Sequence, residues 1–206
     1  MVISLPGFQD AVHEAQTTFR TLLEALAHPG CSCTITTSIT PPDGMSPACA
    51  AACLTLLDLE TQVWLQPGLE IESWLRFHTG CRFTTDPQQA DFAVIWDVAR
   101  SPALQALHPG TAEYPEASTT LLIQVEGLVD GEAVVLQGPG ILGERAIAPQ
   151  LPAQFWQQWV SNHHAYPLGV DVFLFDQTYV IGLPRSTDIK HENMRKRNDD
   201  RHPESH

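Results

Sequence analysis

Positive charge is scarce in this chain, and several of its basic side chains sit in strings that suit anions. Residues 75–79 read Leu-Arg-Phe-His-Thr. A guanidinium such as that of Arg76 grips a carboxylate or phosphate through two parallel hydrogen bonds. His78 belongs to the residue type that moves protons near neutral pH. Each also has a plainer reading. Arg76 stands four residues after Glu72 and can pair with it on a helix, and His78 can cap a helix end before Gly80. Residues 138–143 read Gly-Pro-Gly-Ile-Leu-Gly, with Arg145 two residues on. G-x-G-x-x-G after a strand marks dinucleotide sites. The surroundings here do not fit one. Pro149 and Pro152 leave no room for a long helix, and residues 158–165 hold no acid for a ribose hydroxyl. A local anion nest of backbone N–H groups facing Arg145 is one remaining reading, and a turn closing a strand is the other. Arg185 joins these because cations are so few. The candidate anion-binding set is therefore Arg76, His78, Gly138, Gly140, Arg145 and Arg185.

No catalytic residue can be assigned. The strings G-x-S-x-G and H-E-x-x-H are missing. Cys31, Cys33, Cys49, Cys53 and Cys81 lack the spacing of a metal site, so no metal is expected and buried thiols packed as small hydrophobes are. An iron–sulfur C-x-x-x-C-x-x-C fails at position 56, which is Leu56. His163 and His164 are adjacent and point apart on a helix. Glu113 and Glu116 flank Tyr114-Pro115 in a loop, where acids are solvated.

These residues need elements to hold them. Phe8, Val12, Ala15, Phe19, Leu22, Leu23 and Leu26 form one stripe of a 3.6-residue period, which predicts a helix over 8–28 stopped by Pro29-Gly30. A strand is expected over 33–39. Ser46-Pro47 opens a second helix to about Asp58. Strand 62–65, helix 70–78 and the buried strand 92–96 follow. Ser101-Pro102 starts a short helix ending near His108. Residues 119–125 and 133–137 read as a hairpin around Asp130-Gly131. A helix runs from Pro152 to about Ser161, its Trp156 and Trp159 packing against the body or a partner. Residues 170–175 and 179–183 form a second hairpin. Alternation early and strand pairing late imply α/β with a mixed sheet. Two regions are expected: a domain over 1–187 and a charged, disordered tail over 188–206.

Composition excludes whole classes of function. The 206 residues carry 24 acids and 11 bases, a formal −13. Before position 190 there are six bases, all arginine, against 20 acids. Such a body is a poor partner for nucleic acid or for anionic membranes. The only lysines are Lys190 and Lys196, so the body cannot make a Schiff base or a P-loop. No apolar run approaches the 18 residues of a membrane span. The opening Met1-Val2-Ile3-Ser4 lacks the basic start of a secretory signal. With an odd cysteine count, the expectation is a reducing, cytoplasmic setting.

Several strings together resemble one family. They include Phe19-Arg20-x-x-Leu23-x-Ala25 running to Pro29-Gly30, Leu54-Thr55-Leu56-Leu57-Asp58 with Thr61, and Leu75-Arg76-Phe77-His78-Thr79. Ala90-Asp91-Phe92-Ala93-Val94, Gly110-Thr111 with Pro115-Glu116, and Gly138-Pro139-Gly140-Ile141 follow. Ile147-Ala148-Pro149-Gln150-Leu151-Pro152, Tyr166-Pro167-Leu168-Gly169-Val170-Asp171 and Leu183-Pro184-Arg185-Ser186-Thr187 complete the set. In order and spacing these resemble the H subunit of the bacterial carbon–phosphorus lyase system, the PhnH family. The resemblance implies a role in phosphonate catabolism. In that system the G, H, I and J subunits form a core complex. With an accessory L subunit, the core replaces the adenine of ATP by a phosphonate, giving ribose 1-alkylphosphonate 5-triphosphate. The resemblance further implies a homodimer and a three-layer α/β fold. That fold is like the large domain of pyridoxal-phosphate (PLP)-dependent transferases, without the cofactor. An assembly and binding role is expected first. A nucleotide- or phosphonate-binding catalytic site of its own is the alternative.

Overall fold

The computed structural model describes residues 5–68 and 71–190. The described residues form four α-helices and two sheets. The helices are α1 (Ala11–Ala27), α2 (Pro47–Leu56), α3 (Glu72–Thr79) and α4 (Ala153–His164). Seven strands build the main sheet: β1 (Cys33–Thr34), β2 (Gln62–Leu65), β3 (Arg82–Thr84), β4 (Phe92–Ile95), β5 (Thr120–Gln124), β8 (Asp171–Phe175) and β9 (Tyr179–Leu183). Their order is β1-β9-β8-β5-β4-β2-β3. Strands β3, β2, β4, β5 and β8 run parallel, whereas β9 pairs antiparallel with both β8 and β1. The smaller sheet holds β6 (Val134–Gln137), β7 (Arg145–Ile147) and β10 (Asp188–Lys190), with β6 in the middle.

The central strands are apolar on both faces because both faces are covered. On β5, Leu122 joins the core beneath α1, α2 and α3. Its neighbours Leu121 and Ile123 join the core beneath α4 and the small sheet. The period-2 alternation of strand side chains thus splits one apolar run between two cores. Helix α2 is Ala- and Cys-rich, and Ala48 to Cys53 are all fully buried, so it lies flat against its neighbours. Ser46 caps it, accepting from the Cys49 N–H at 3.2 Å.

The mixed α/β architecture is as the sequence predicts, and the β8–β9 hairpin forms. Several expectations are corrected. Residues 119–125 and 133–137 do not pair with each other. Strand β5 already has β4 and β8 on its two sides, so β6 starts a second sheet with β7 and β10. Gly131 is used differently: its N–H donates to Ala148 O at 2.8 Å, and a Cβ there would lie 2.1 Å from Pro149 O. The strand expected over 33–39 shortens to two residues, since β1 is a sheet edge with a single neighbour. The short helix expected after Ser101-Pro102 is one 3₁₀ turn, Leu104–Ala106. Strands β3, β7 and β10 were not expected at all. Strand β10 carries the ordered body past the expected boundary at 187, as far as Lys190. There Ile189 is buried and pairs with Leu136. The rest of the expected tail, 191–206, lies outside the described residues. The α1 stripe also divides. Leu22 faces the core, but Val12, Phe19 and Leu23 are exposed.

Candidate functional site

The six residues predicted to hold an anion do not all converge: Arg76 and His78 stand apart from the Gly138–Arg145 loop. Arg76 and His78 share α3. Arg76 pairs with Glu72 at 2.6 Å and its guanidinium lies 5.1 Å from the Phe83 ring centre. Both partners of that ion pair are more than half exposed, which keeps its contribution below about 1 kcal/mol. Gly80, in the left-handed region at φ 73°, terminates the helix. His78 therefore does not cap it. The imidazole turns instead to the start of the chain, where Nε2 donates to Leu5 O at 2.9 Å. Trp74 Nε1 donates to the same carbonyl at 3.0 Å, and the two rings meet edge to face. Together they pin residues 5–8 across α2 and α3.

The glycine loop has a different task. Gly140 (φ 80°) lies so close to the end of α1 that an added Cβ would sit 2.2 Å from Ala27 O. Gly138 lies against Ser186 O in the same way, at 2.9 Å. Arg145, on β7, reaches over the loop and donates to Pro29 O at 2.6 Å. The string that resembles a dinucleotide fingerprint thus fastens the small sheet to the C-terminal end of α1, and Arg145 bonds carbonyls of the turn that follows the helix.

Arg185 is well enclosed, with its side chain 12% exposed. Its Nη2 and Nε bond the two oxygens of Asp171 at 2.5 and 3.1 Å. Nη2 also bonds Ser118 Oγ, and Nη1 donates to Pro115 O at 2.7 Å. The Arg185 N–H donates to Asp171 Oδ1 at 2.7 Å. Nearby, His163 Nδ1 lies 3.1 Å from Arg185 O, and Trp159 Nε1 donates to Thr187 O at 3.0 Å. Asp171 and Ser118 were not singled out from sequence. A signal for Asp171 was present: the β8–β9 hairpin sets Val172 opposite Leu183, so Asp171 must lie beside the residues that follow Leu183.

Parallel α/β sheets place ligands outside the carboxyl ends of the strands, where the chain switches faces. Here the chain leaves β2 over one face toward β3 and leaves β4 over the other toward β5. The gap between β2 and β4 is that position. It is filled by Gln66, which is 4% exposed. Gln66 Oε1 accepts from the Trp96 and Asp97 N–H groups at 3.0 and 2.8 Å, while its Nε2 donates to Asp97 O at 2.9 Å.

A model of one family, described as bacterial phosphonate metabolism protein (PhnH), matches residues 6–190. The chain belongs to the PhnH family. The match spans the two sheets and four helices, β10 included. One relative is 39% identical over 190 residues, 90% of this chain and 95% of the relative's length. It is the alpha-D-ribose 1-methylphosphonate 5-triphosphate synthase subunit PhnH of Rhizobium meliloti (strain 1021). Another, HtxG of Stutzerimonas stutzeri, is named as a C-P lyase subunit protein and is 28% identical over 176 residues, 84% of this chain and 85% of its own. The PhnH-family strings quoted above now have locations. The Arg185 string closes the β8–β9 hairpin onto Ser118, and the Gly138 string ties the small sheet to α1.

The cysteines in this PhnH-family chain are all free thiols. Cys49 and Cys53, both on α2, lie in one core with Cys81. A hydrogen bond with Cys49, then burial, pushes the Cys53 thiol up from the ordinary 9.0. Burial does the same for Cys81 and for half-buried Cys33. A thiol with a raised folded value holds its proton more tightly in the folded state, so stability is complete below pH 9.0 and declines as pH rises beyond it. Brief iodoacetamide treatment of the folded protein at pH 8 is expected to label Cys31 and spare Cys49, Cys53 and Cys81. Mass spectrometry reads the pattern, and unfolding by urea at pH 8 and pH 10 reads the loss. Rapid labelling of Cys53 in the folded state would contradict the packing of α2.

Proposed function

We propose that this chain is a subunit of a carbon–phosphorus lyase core complex and serves phosphonate catabolism by helping to form ribose 1-alkylphosphonate 5-triphosphate from ATP and a phosphonate. The observation that carries the reading is the family match over 6–190, together with a relative that is 39% identical and named as a synthase subunit. Its partners in this reading are the G, I and J subunits and a second copy of itself, in the cytoplasm. Among the described residues, no helix is long and apolar enough to cross a membrane. The layered mixed sheet fits a transferase-like fold. The lack of any lysine before Lys190 fits its use without pyridoxal phosphate.

The role within the complex is chiefly assembly and binding. What supports this over a phosphate site of its own is how the candidate bases are used. Arg76, His78, Arg145 and Arg185 all bond groups within the chain. The test is co-purification: a tagged chain co-expressed with the G, I and J subunits is expected to elute with all three. A tagged chain that elutes alone, with the partners present and folded, would overturn the reading. Titration calorimetry of the isolated chain with ATP or methylphosphonate tests the catalytic alternative, and an assembly subunit gives no heat at millimolar ligand.

A further inference from the structure

One nitrogen of half-buried His108 faces two groups that it cannot satisfy together. Its Nδ1 lies 2.9 Å from Ala117 O, an arrangement that needs a hydrogen on the ring nitrogen. The same atom lies 3.2 Å from Gly110 N, whose N–H points at it and needs a lone pair there. An imidazole nitrogen is a donor or an acceptor according to whether it carries the proton. The neutral ring with its hydrogen on Nε2 accepts from Gly110, and it then sets two lone pairs against each other at Ala117. The ring with a proton on Nδ1 donates to Ala117 O and turns two N–H groups toward each other at Gly110. Gly110 is buried, and its N–H makes no other bond among the described residues. Releasing it therefore has a real cost, as a buried donor without a partner always does.

Both contacts lie at the neck of one loop. Thr119 N–H donates to His108 O at 2.9 Å, and His108 N–H donates to Thr119 Oγ1 at 3.2 Å, so backbone bonds close the neck whatever the state of the ring. Inside the loop, a Cβ on Gly110 would lie 2.6 Å from Pro115 O. Arg185 holds the loop from behind through Pro115 O and Ser118 Oγ. The charged and titratable groups on the surrounding segments are exposed or engaged elsewhere. Glu113, Tyr114 and Glu116 ride on the loop and are exposed. Asp91, just before β4, accepts from Gln62 N–H at 2.7 Å. Arg185 is paired with Asp171, and His163 lies on Arg185 O, while His164 and Tyr166 are exposed. The choice between the two partners thus rests with the ring's own proton. We propose that His108 is a proton-operated latch on the 108–118 loop. Neutral, it holds the Gly110 N–H. On taking a proton from solvent at Nδ1, it releases Gly110 and holds Ala117 O.

The test is an NMR titration of the isotope-labelled full chain from about pH 8 to about pH 5, the range in which histidine changes charge. It follows the His108 ring nitrogens and the Gly110 amide together. The expected result is an Nδ1 that is bare at the upper end and protonated at the lower end. Over the same range the hydrogen-exchange protection factor of Gly110 is expected to fall by about tenfold. The protection factor already corrects for the slower intrinsic exchange of amides in acid. His108→Asn puts a carboxamide oxygen near the place of Nδ1, and that oxygen accepts without titrating. Its Gly110 protection is expected to stay constant. An Nδ1 that carries its hydrogen throughout overturns the inference, because Ala117 O then holds the ring at every pH. So does a Gly110 amide that does not respond while the ring titrates. Loss of Gly110 protection in acid by His108→Asn overturns it as well, since another group is then responsible. The wild-type ring and amide signals decide the question even where the variant does not fold.

Discussion

Arg185→Ala is expected to cost about 3 kcal/mol of folding stability, since removing one partner of an enclosed ion pair strands the other. The guanidinium is 12% and the Asp171 side chain 23% exposed, so little solvent screens the pair. Truncation leaves the carboxylate with only the Arg185 N–H, and it leaves Pro115 O and Ser118 Oγ without their cation. Arg185→Lys is expected to recover only a minor part, because an ammonium cannot span Asp171, Ser118 and Pro115 in one plane. Arg185→Ala/Asp171→Ala should be less unstable than the sum of the single variants, as the double change removes both charges. Urea unfolding of the four proteins measures this. Additive losses would show that the two side chains act independently.

Gly140→Ala is expected to be about as damaging, near 3 kcal/mol, while Gly143→Ala three residues away should cost only about 1 kcal/mol. Both glycines have left-handed backbone, with φ of 80° and 75°. That strain is common to the two substitutions. The surroundings differ. A Cβ at Gly140 meets Ala27 O at 2.2 Å and Pro29 Cδ at 2.8 Å, whereas at Gly143 nothing lies within 4 Å. Backbone cannot swing aside as a flexible side chain would, so the small sheet must shift away from α1. Thermal melts of the two variants give the comparison, and equal losses would mean that strain alone is being measured.

Much of the body was legible because its signals are local. Ser46-Pro47 marks the start of α2, and the apolar run at 92–96 marks β4, since caps and burial patterns write themselves into neighbouring residues. The second sheet was not legible. Each of its strands has three or four residues, and β10 pairs with β6 across about fifty positions of sequence. The same limit applies to the basic residues. Sequence shows that Arg185 is one of six arginines before position 190. It does not show that a turn of chain at 115–118 arrives beside it. The α1 stripe misled for a further reason. Helical periodicity reports that a face is apolar, but it does not distinguish side chains that meet the core from those that stay exposed.

Gln66 has a thermodynamic consequence. In many parallel sheets the loose strand ends at the switch point are completed by a bound molecule, and the fold then gains stability with ligand concentration. Here the chain's own carboxamide supplies those contacts, bonding the Trp96 and Asp97 amides and the Asp97 carbonyl. Closure of that gap is intramolecular, so it does not depend on the concentration of a second molecule. At that gap the sheet is closed as the chain folds, by a side chain of the chain itself.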